Sequence, residues 1–136
     1  LATATLQTRF GFREVPMAGP PRPGIRSLGA GGVILVLVGP DASANVADYL
    51  ERHGPGVQHV AVEVLNAGFA RACLADAGTP LLTEVLVDDD GHEQFFAASE
   101  PAAGIQLGFI SRTGHRVGVG ADNVLALFDA IRTAAK

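Results

Sequence analysis

The stretch His53-Gly54-Pro55-Gly56-Val57-Gln58-His59-Val60-Ala61-Val62-Glu63-Val64 contains a change of period. Up to His53, the residues Val46, Tyr49, Leu50 and His53 fall at i, i+3, i+4 and i+7, one stripe of a helix that Asp41 or Ser43 can cap and Gly54-Pro55-Gly56 ends. Beyond the glycines the spacing is two. Val60, Val62 and Val64 share one face of a strand, and His59, Ala61 and Glu63 share the other.

Downstream, Asn66 caps a second helix with Phe69, Cys73 and Ala77 on one side, and Gly78 stops it. Three strand-like segments follow, Leu81 to Val87, Glu93 to Ser99 and Ile105 to Arg112, joined at Asp90-Gly91 and at Pro101-Ala102-Ala103-Gly104. A last helix from about Asp122 directs Val124, Leu127, Phe128 and Ile131 to the body. Upstream, Leu1 to Thr8 suits a helix and Phe12 to Met17 a short extended piece. The prolines of Gly19-Pro20-Pro21-Arg22-Pro23-Gly24 make that segment a loop. Val33 to Val38 is a β-branched run closed by Gly39-Pro40, which predicts a strand buried on both faces.

The order is therefore α-β-β-β and a helix, then β-α-β-β-β and a helix. The second half is a βαβββ unit, and the first is the same unit without its opening strand, in a chain that begins at Leu1 rather than methionine. One curved sheet leaves its inner face unburied and needs a second copy to close it. The expectation is an α+β single domain over 1–136: a first module in 1–53, a second in 56–112 and a C-terminal helix in 121–136. The paired modules form a half-open curved sheet with helices on its convex side.

Composition narrows the function. The net charge is −4, and no five-residue window holds more than two arginine or lysine side chains, so the footprint of a nucleic-acid binder is missing. Cys73 is the only cysteine, which excludes an intrachain disulfide and a paired-cysteine metal or redox site. The longest apolar run, Val33 to Val38, is too short to span a bilayer, and no signal segment is visible, so the expectation is a cytoplasmic protein with no membrane partner. Of the 10 basic residues nine are arginine; with 17 glycines and an abundance of alanine, this resembles the GC-rich coding bias of actinobacteria.

Several stretches resemble one known family. His53 to Val64 is similar to the segment that opens the second module in relatives of 4-hydroxyphenylpyruvate dioxygenase and hydroxymandelate synthase. Phe10-Gly11-Phe12, Val36 to Pro40 and Val46 to Leu50 resemble the N-terminal domain of those enzymes. Glu100-Pro101-Ala102-Ala103-Gly104-Ile105-Gln106-Leu107 resembles the last turn and strand of the vicinal oxygen chelate superfamily, which spans glyoxalases, extradiol dioxygenases and antibiotic-binding proteins. Fold alone does not choose among these activities. The resemblance implies that metal-binding members draw a His-His-carboxylate set from the opening and last strands, with open positions for a chelating substrate. On that pattern His59 matches a ligand and Gln106 stands where glutamate is usual. An amide is a weaker ligand than a carboxylate. Glu63 lies four residues further along the strand, roughly 13 Å from His59.

These residues support two functions. The first is a metal-free binding protein that sequesters a hydrophobic, aromatic metabolite in a cavity lined by His59, Glu63, Gln94, Phe96 and Gln106, a role that suits antibiotic self-resistance in natural-product biosynthesis. Phe95 and Phe96 are adjacent, so one faces the cavity and the other the helices, and an aromatic wall suits a planar ligand. The alternative is an Fe(II)-, Zn- or Ni-dependent dioxygenase, lyase or isomerase with His59 and Gln106 as ligands. The resemblance further implies a homodimer. His92 beside Asp88-Asp89-Asp90 reads as a solvated hairpin tip, His115 as part of a Gly-rich connector, and Cys73 as an inert core thiol. No serine has a histidine and acid arranged for hydrolysis.

Overall fold

A computed structural model describes residues 2–17, 19–100, 102, 105–112 and 120–135. Helix α1 (Ala2–Phe10) leads to strands β1 (Arg13–Glu14), β2 (Ile25–Ala30) and β3 (Val33–Val38), which form an antiparallel sheet in that order. The α-β-β-β order requires a strand between Phe12–Met17 and Val33–Val38, and Ile25–Ala30 supplies it. A short 3-10 turn (Pro40–Ala42) and α2 (Ala44–His53) cross to the second sheet. There β4 (His59–Glu63), α3 (Ala67–Asp76), β5 (Leu86–Val87), β6 (Glu93–Phe96) and β7 (Gln106–Ser111) make a four-stranded sheet of order β4-β7-β6-β5, and α4 (Ala121–Ala134) closes the described chain.

The internal repeat is visible in the sheet orders. β5, β6 and β7 correspond to β1, β2 and β3, and β4 lies parallel to β7 at the sheet edge. Among the described residues no strand occupies the matching place beside β3, so β3 stands at an edge rather than as the doubly buried strand its apolar run predicts. Val33 is 55% exposed and the remaining five residues are half-buried. The run is apolar because one face meets helices: Val36 and Val38 pack against Val46, Val124 and Phe128, with Tyr49 and Leu50 beside them.

Local chemistry sets the helix ends. Ser43 Oγ accepts the Val46 N–H at 3.2 Å, and Gly54, at φ 73°, ends α2 by donating its N–H to the Leu50 carbonyl. Asn66 Oδ1 accepts the Phe69 N–H at 2.8 Å to start α3, as its sequence predicts. The buried side of α3 differs from expectation. Ala67 is buried and Ala70, Arg71 and Leu74 are half-buried, whereas Phe69 and Cys73 are exposed, so Cys73 is a surface thiol. Small side chains let the helix lie close to β6 and β7, and Arg71 anchors it by donating to the Thr83 carbonyl at 2.9 Å. In α4, Val124, Leu127 and Phe128 are buried and Ile131 is half-buried, the stripe its spacing predicts.

The predicted strand Leu81–Val87 pairs only at Leu86 and Val87, with Leu81 bridging Ala97; between them the Leu82 and Thr83 N–H groups share the Phe96 carbonyl. The turn at Pro101 to Gly104 and the connector carrying His115 lie outside the described residues, except for Ala102. Among the described residues, no helix is long and apolar enough to cross a membrane.

Candidate functional site

Strand register gathers the predicted site residues. His59, Ala61 and Glu63 on β4 lie opposite Gln106, Gly108 and Ile110 on β7, and Gln94 and Phe96 on β6 lie opposite Ile110 and Gly108. The alternation of a strand then puts His59, Glu63, Gln94, Phe96 and Gln106 on one sheet face. Phe95 is on the other face, stacked on Phe109 with centroids 4.9 Å apart. The two adjacent phenylalanines do serve opposite faces, and both are fully buried.

A chain of amides organises this face. Gln106 Nε2 donates to the Ala97 carbonyl at 2.7 Å, Gln58 Nε2 donates to Gln106 Oε1 at 2.7 Å, and Gln58 Oε1 lies 2.7 Å from His59 Nδ1. Since that oxygen can only accept, Nδ1 carries the proton and Nε2 keeps a lone pair in the neutral ring. Phe96 packs edge-on to the imidazole, centroids 5.2 Å apart and planes at 89°. Burial pushes the His59 pKa below its ordinary value, which favours this neutral form.

The face is more closed than an open cavity. Gln94, Phe96, Gln106 and Ile110 are almost without exposed surface, and His59 at the β4 edge is half-buried. Gln94 Oε1 has no partner among the described residues. Gly108 is where Phe96 fits: a Cβ there would stand 2.9 Å from two atoms of the ring. Glu63, its side chain 63% exposed, accepts at Oε2 from Arg112 Nη1 at 3.0 Å. A separate shallow pocket of about 50 Å³ between α2 and α4 is lined by Tyr49, His53, Arg52, Arg132 and Phe128 among others.

This donor set does not fit the metal centre that the alternative function requires. Both ends of the Gln106 amide are already bonded, Glu63 is engaged by Arg112, and His59 offers one nitrogen. Among the described residues no three His, Cys, Asp or Glu side chains gather as a metal site.

The sequence missed one buried polar group. His92 is 2% exposed rather than on a solvated tip, and its Nδ1 lies 2.9 Å from Asp88 Oδ2, an ion-pair distance without hydrogen-bond alignment. Asp88 Oδ1 accepts the Asp90 and His92 N–H groups, and Asn123 Nδ2 donates to the His92 carbonyl at 3.3 Å. An acidic run reads as surface in sequence. Here α4 lands on it, so only the tertiary contact buries the pair.

No protein-family model matches the sequence, and no curated protein does. Solved structures do. Methylmalonyl-CoA epimerase of Streptomyces coelicolor, bound to 2-nitronate-propionyl-CoA, superimposes with a TM-score of 0.64 at 17% identity over 86% of this chain and 88% of that one. A hypothetical protein from Bacillus halodurans gives 0.67 at 16% identity, covering 87% and 91% of the two chains. Methylmalonyl-CoA epimerase from Mycobacterium tuberculosis gives 0.60 at 20% identity, covering 92% and 82%. This chain has the vicinal oxygen chelate fold. The repeat and the parallel β4–β7 pair are how its sequence realises that fold. The neighbours agree with the fold that the resemblance implies and lend no support to the narrower likeness to 4-hydroxyphenylpyruvate dioxygenase.

Proposed function

We propose that this protein is a metal-free binder of a hydrophobic, hydroxylated aromatic small molecule, held against the His59–Phe96 face. The observation that carries the reading is the Ala97–Gln106–Gln58–His59 relay. It spends both ends of Gln106 on structure and sets the His59 tautomer, so that Nε2 is a hydrogen-bond acceptor beside an aromatic edge. Such a pair suits a phenolic O–H on an apolar ring. In a cell that makes an aromatic antibiotic, cytoplasmic capture of this kind amounts to self-resistance without turnover.

The test is an absorbance titration with 1,8-dihydroxyanthraquinone, followed by mass spectrometry of the recovered ligand. One equivalent bound per chain and returned unchanged is the expected result, with Phe96→Ala and His59→Phe each weakening binding about tenfold. A modified product, or affinity indifferent to both substitutions, overturns it.

The structural neighbours favour a second ligand class, a CoA ester. Epimerisation moves a proton on and off one carbon and needs acid–base groups placed about it. Incubating a branched acyl-CoA with the protein in D2O decides this: deuterium at the α-carbon, lost in His59→Gln, makes the protein an enzyme of the epimerase kind.

A further inference from the structure

The face that carries His59 ends on a base. Continuing the alternation of β7 past Gln106 and Ile110 brings Arg112 to this face, and its contact with Glu63, the register partner of Ile110, fixes it there. The two members of that pair are unequally wet. The Arg112 side chain is 16% exposed and the Glu63 side chain 63%. Along β4 the row therefore runs from the imidazole of His59 over the small Ala61 to a carboxylate held by a largely dry guanidinium. Ala61 lies opposite Gly108, on which the Phe96 ring packs, so the middle of the row is small side chains beside an aromatic wall.

We propose that Arg112 is the second recognition point of this face and takes a carboxylate of the ligand in place of Glu63. The proposal rests on the reading of the face as an aromatic-binding surface, and it narrows the ligand to a planar, hydroxylated aromatic acid. Glu63 itself shows that a carboxylate oxygen fits against Arg112 Nη1 at 3.0 Å. An ion pair with an exposed member adds little to stability, so exchanging that wet carboxylate for another costs little. The ligand gains charge-assisted hydrogen bonds from a guanidinium that water barely reaches, in a fork that matches a planar carboxylate. Glu63 turns to solvent, and no buried charge is left without a counter-charge.

Spacing sets the length of the ligand. His59 and Glu63 are four residues apart, about 13 Å along an extended strand. A hydrogen bond of about 2.8 Å at each end leaves about 8 Å between the ligand's hydroxyl and its carboxylate. One benzene ring is too short for this. Three fused rings, with hydroxyl and carboxyl on opposite end rings, span it.

Calorimetric titration of the full chain at pH 7.5 with 4,5-dihydroxyanthraquinone-2-carboxylate and with its primary amide tests the assignment. The two ligands share shape and hydroxyls and differ in charge. Wild type is expected to bind the carboxylate about tenfold more tightly than the amide. Arg112→Gln brings that ratio to one, and Arg112→Lys, which keeps the charge without the fork, retains about threefold. Glu63→Gln removes the competing carboxylate and raises the ratio severalfold. A purely structural Arg112–Glu63 pair does not predict that rise, and this variant reads out the exchange even if the Arg112 variants fail to fold. Equal affinities in wild type, or a ratio that falls in Glu63→Gln, overturn the proposal and leave the aromatic-binding reading standing. Carboxylate binding that Arg112→Gln abolishes and His59→Phe leaves unmoved overturns that reading and keeps the role of Arg112. Binding of neither ligand overturns both.

Discussion

At Gln106 one amide decides between two chemistries. Its oxygen receives Gln58 Nε2 and its nitrogen donates to Ala97, so a glutamate here would set a buried carboxylate against a carbonyl. Gln106→Glu restores the residue type usual for a metal ligand, yet it is expected to destabilise the fold by about 3 kcal/mol in urea denaturation and to bind no stoichiometric zinc. Gly108 makes the complementary point. With Phe96 ring atoms 2.9 Å from its missing Cβ, Gly108→Ala is expected to cost about 1–3 kcal/mol and to weaken ligand binding by moving the ring. His59 was legible from its alternation on β4, but what its two nitrogens do was not, because the amides that orient it come from Gln58 beside it and from Gln106 on another strand.

Among the elements, α4 ties the first sheet to the second. Its hydrophobic side packs on Val36 and Val38 of the first sheet, and its first turn meets the β5–β6 turn of the second through Asn123 and Gly120. A Cβ on Gly120 would lie 2.0 Å from Asp88 Oδ2. Gly120→Ala is therefore expected to displace the Asp88–His92 pair, lowering the thermal midpoint by several degrees and speeding hydrogen exchange in α4 before the rest of the fold. The α4 stripe was plain from its period, since Val124, Leu127 and Phe128 recur at helical spacing. Its landing place was not. The α3 stripe misled because Phe69 and Cys73 have the right spacing, while the sheet beneath accepts the smaller Ala67 and Ala70 side.

Across the whole molecule, acid stability carries the signature of the buried imidazole. The folded chain holds His59 below its ordinary pKa, so the unfolded chain takes up the proton first as pH falls. The stability tied to the neutral ring is complete above the unfolded value of about 6.5 and is lost as pH drops from there through the folded value. Urea unfolding at pH 7.5 and 5.5 is expected to show this fall. Adding His59→Gln flattens it, and an unchanged slope counts against the burial of the ring.

The repeat, the βαβββ order, the cap at Asn66 and the set of residues on the His59 face were legible in the sequence by itself, which does not choose between Asp41 and Ser43 as the cap of α2. These follow from local rules: turn chemistry, the periods 3.6 and 2, and the alternation of a strand. Tertiary contacts settled the rest: β3 at the edge of the described sheet, Gln106 bonded at both ends, and the Asp88 and His92 side chains buried. Each of those depends on which distant segment arrives alongside. A period in the sequence tells a residue which way to face and leaves open what it will meet there.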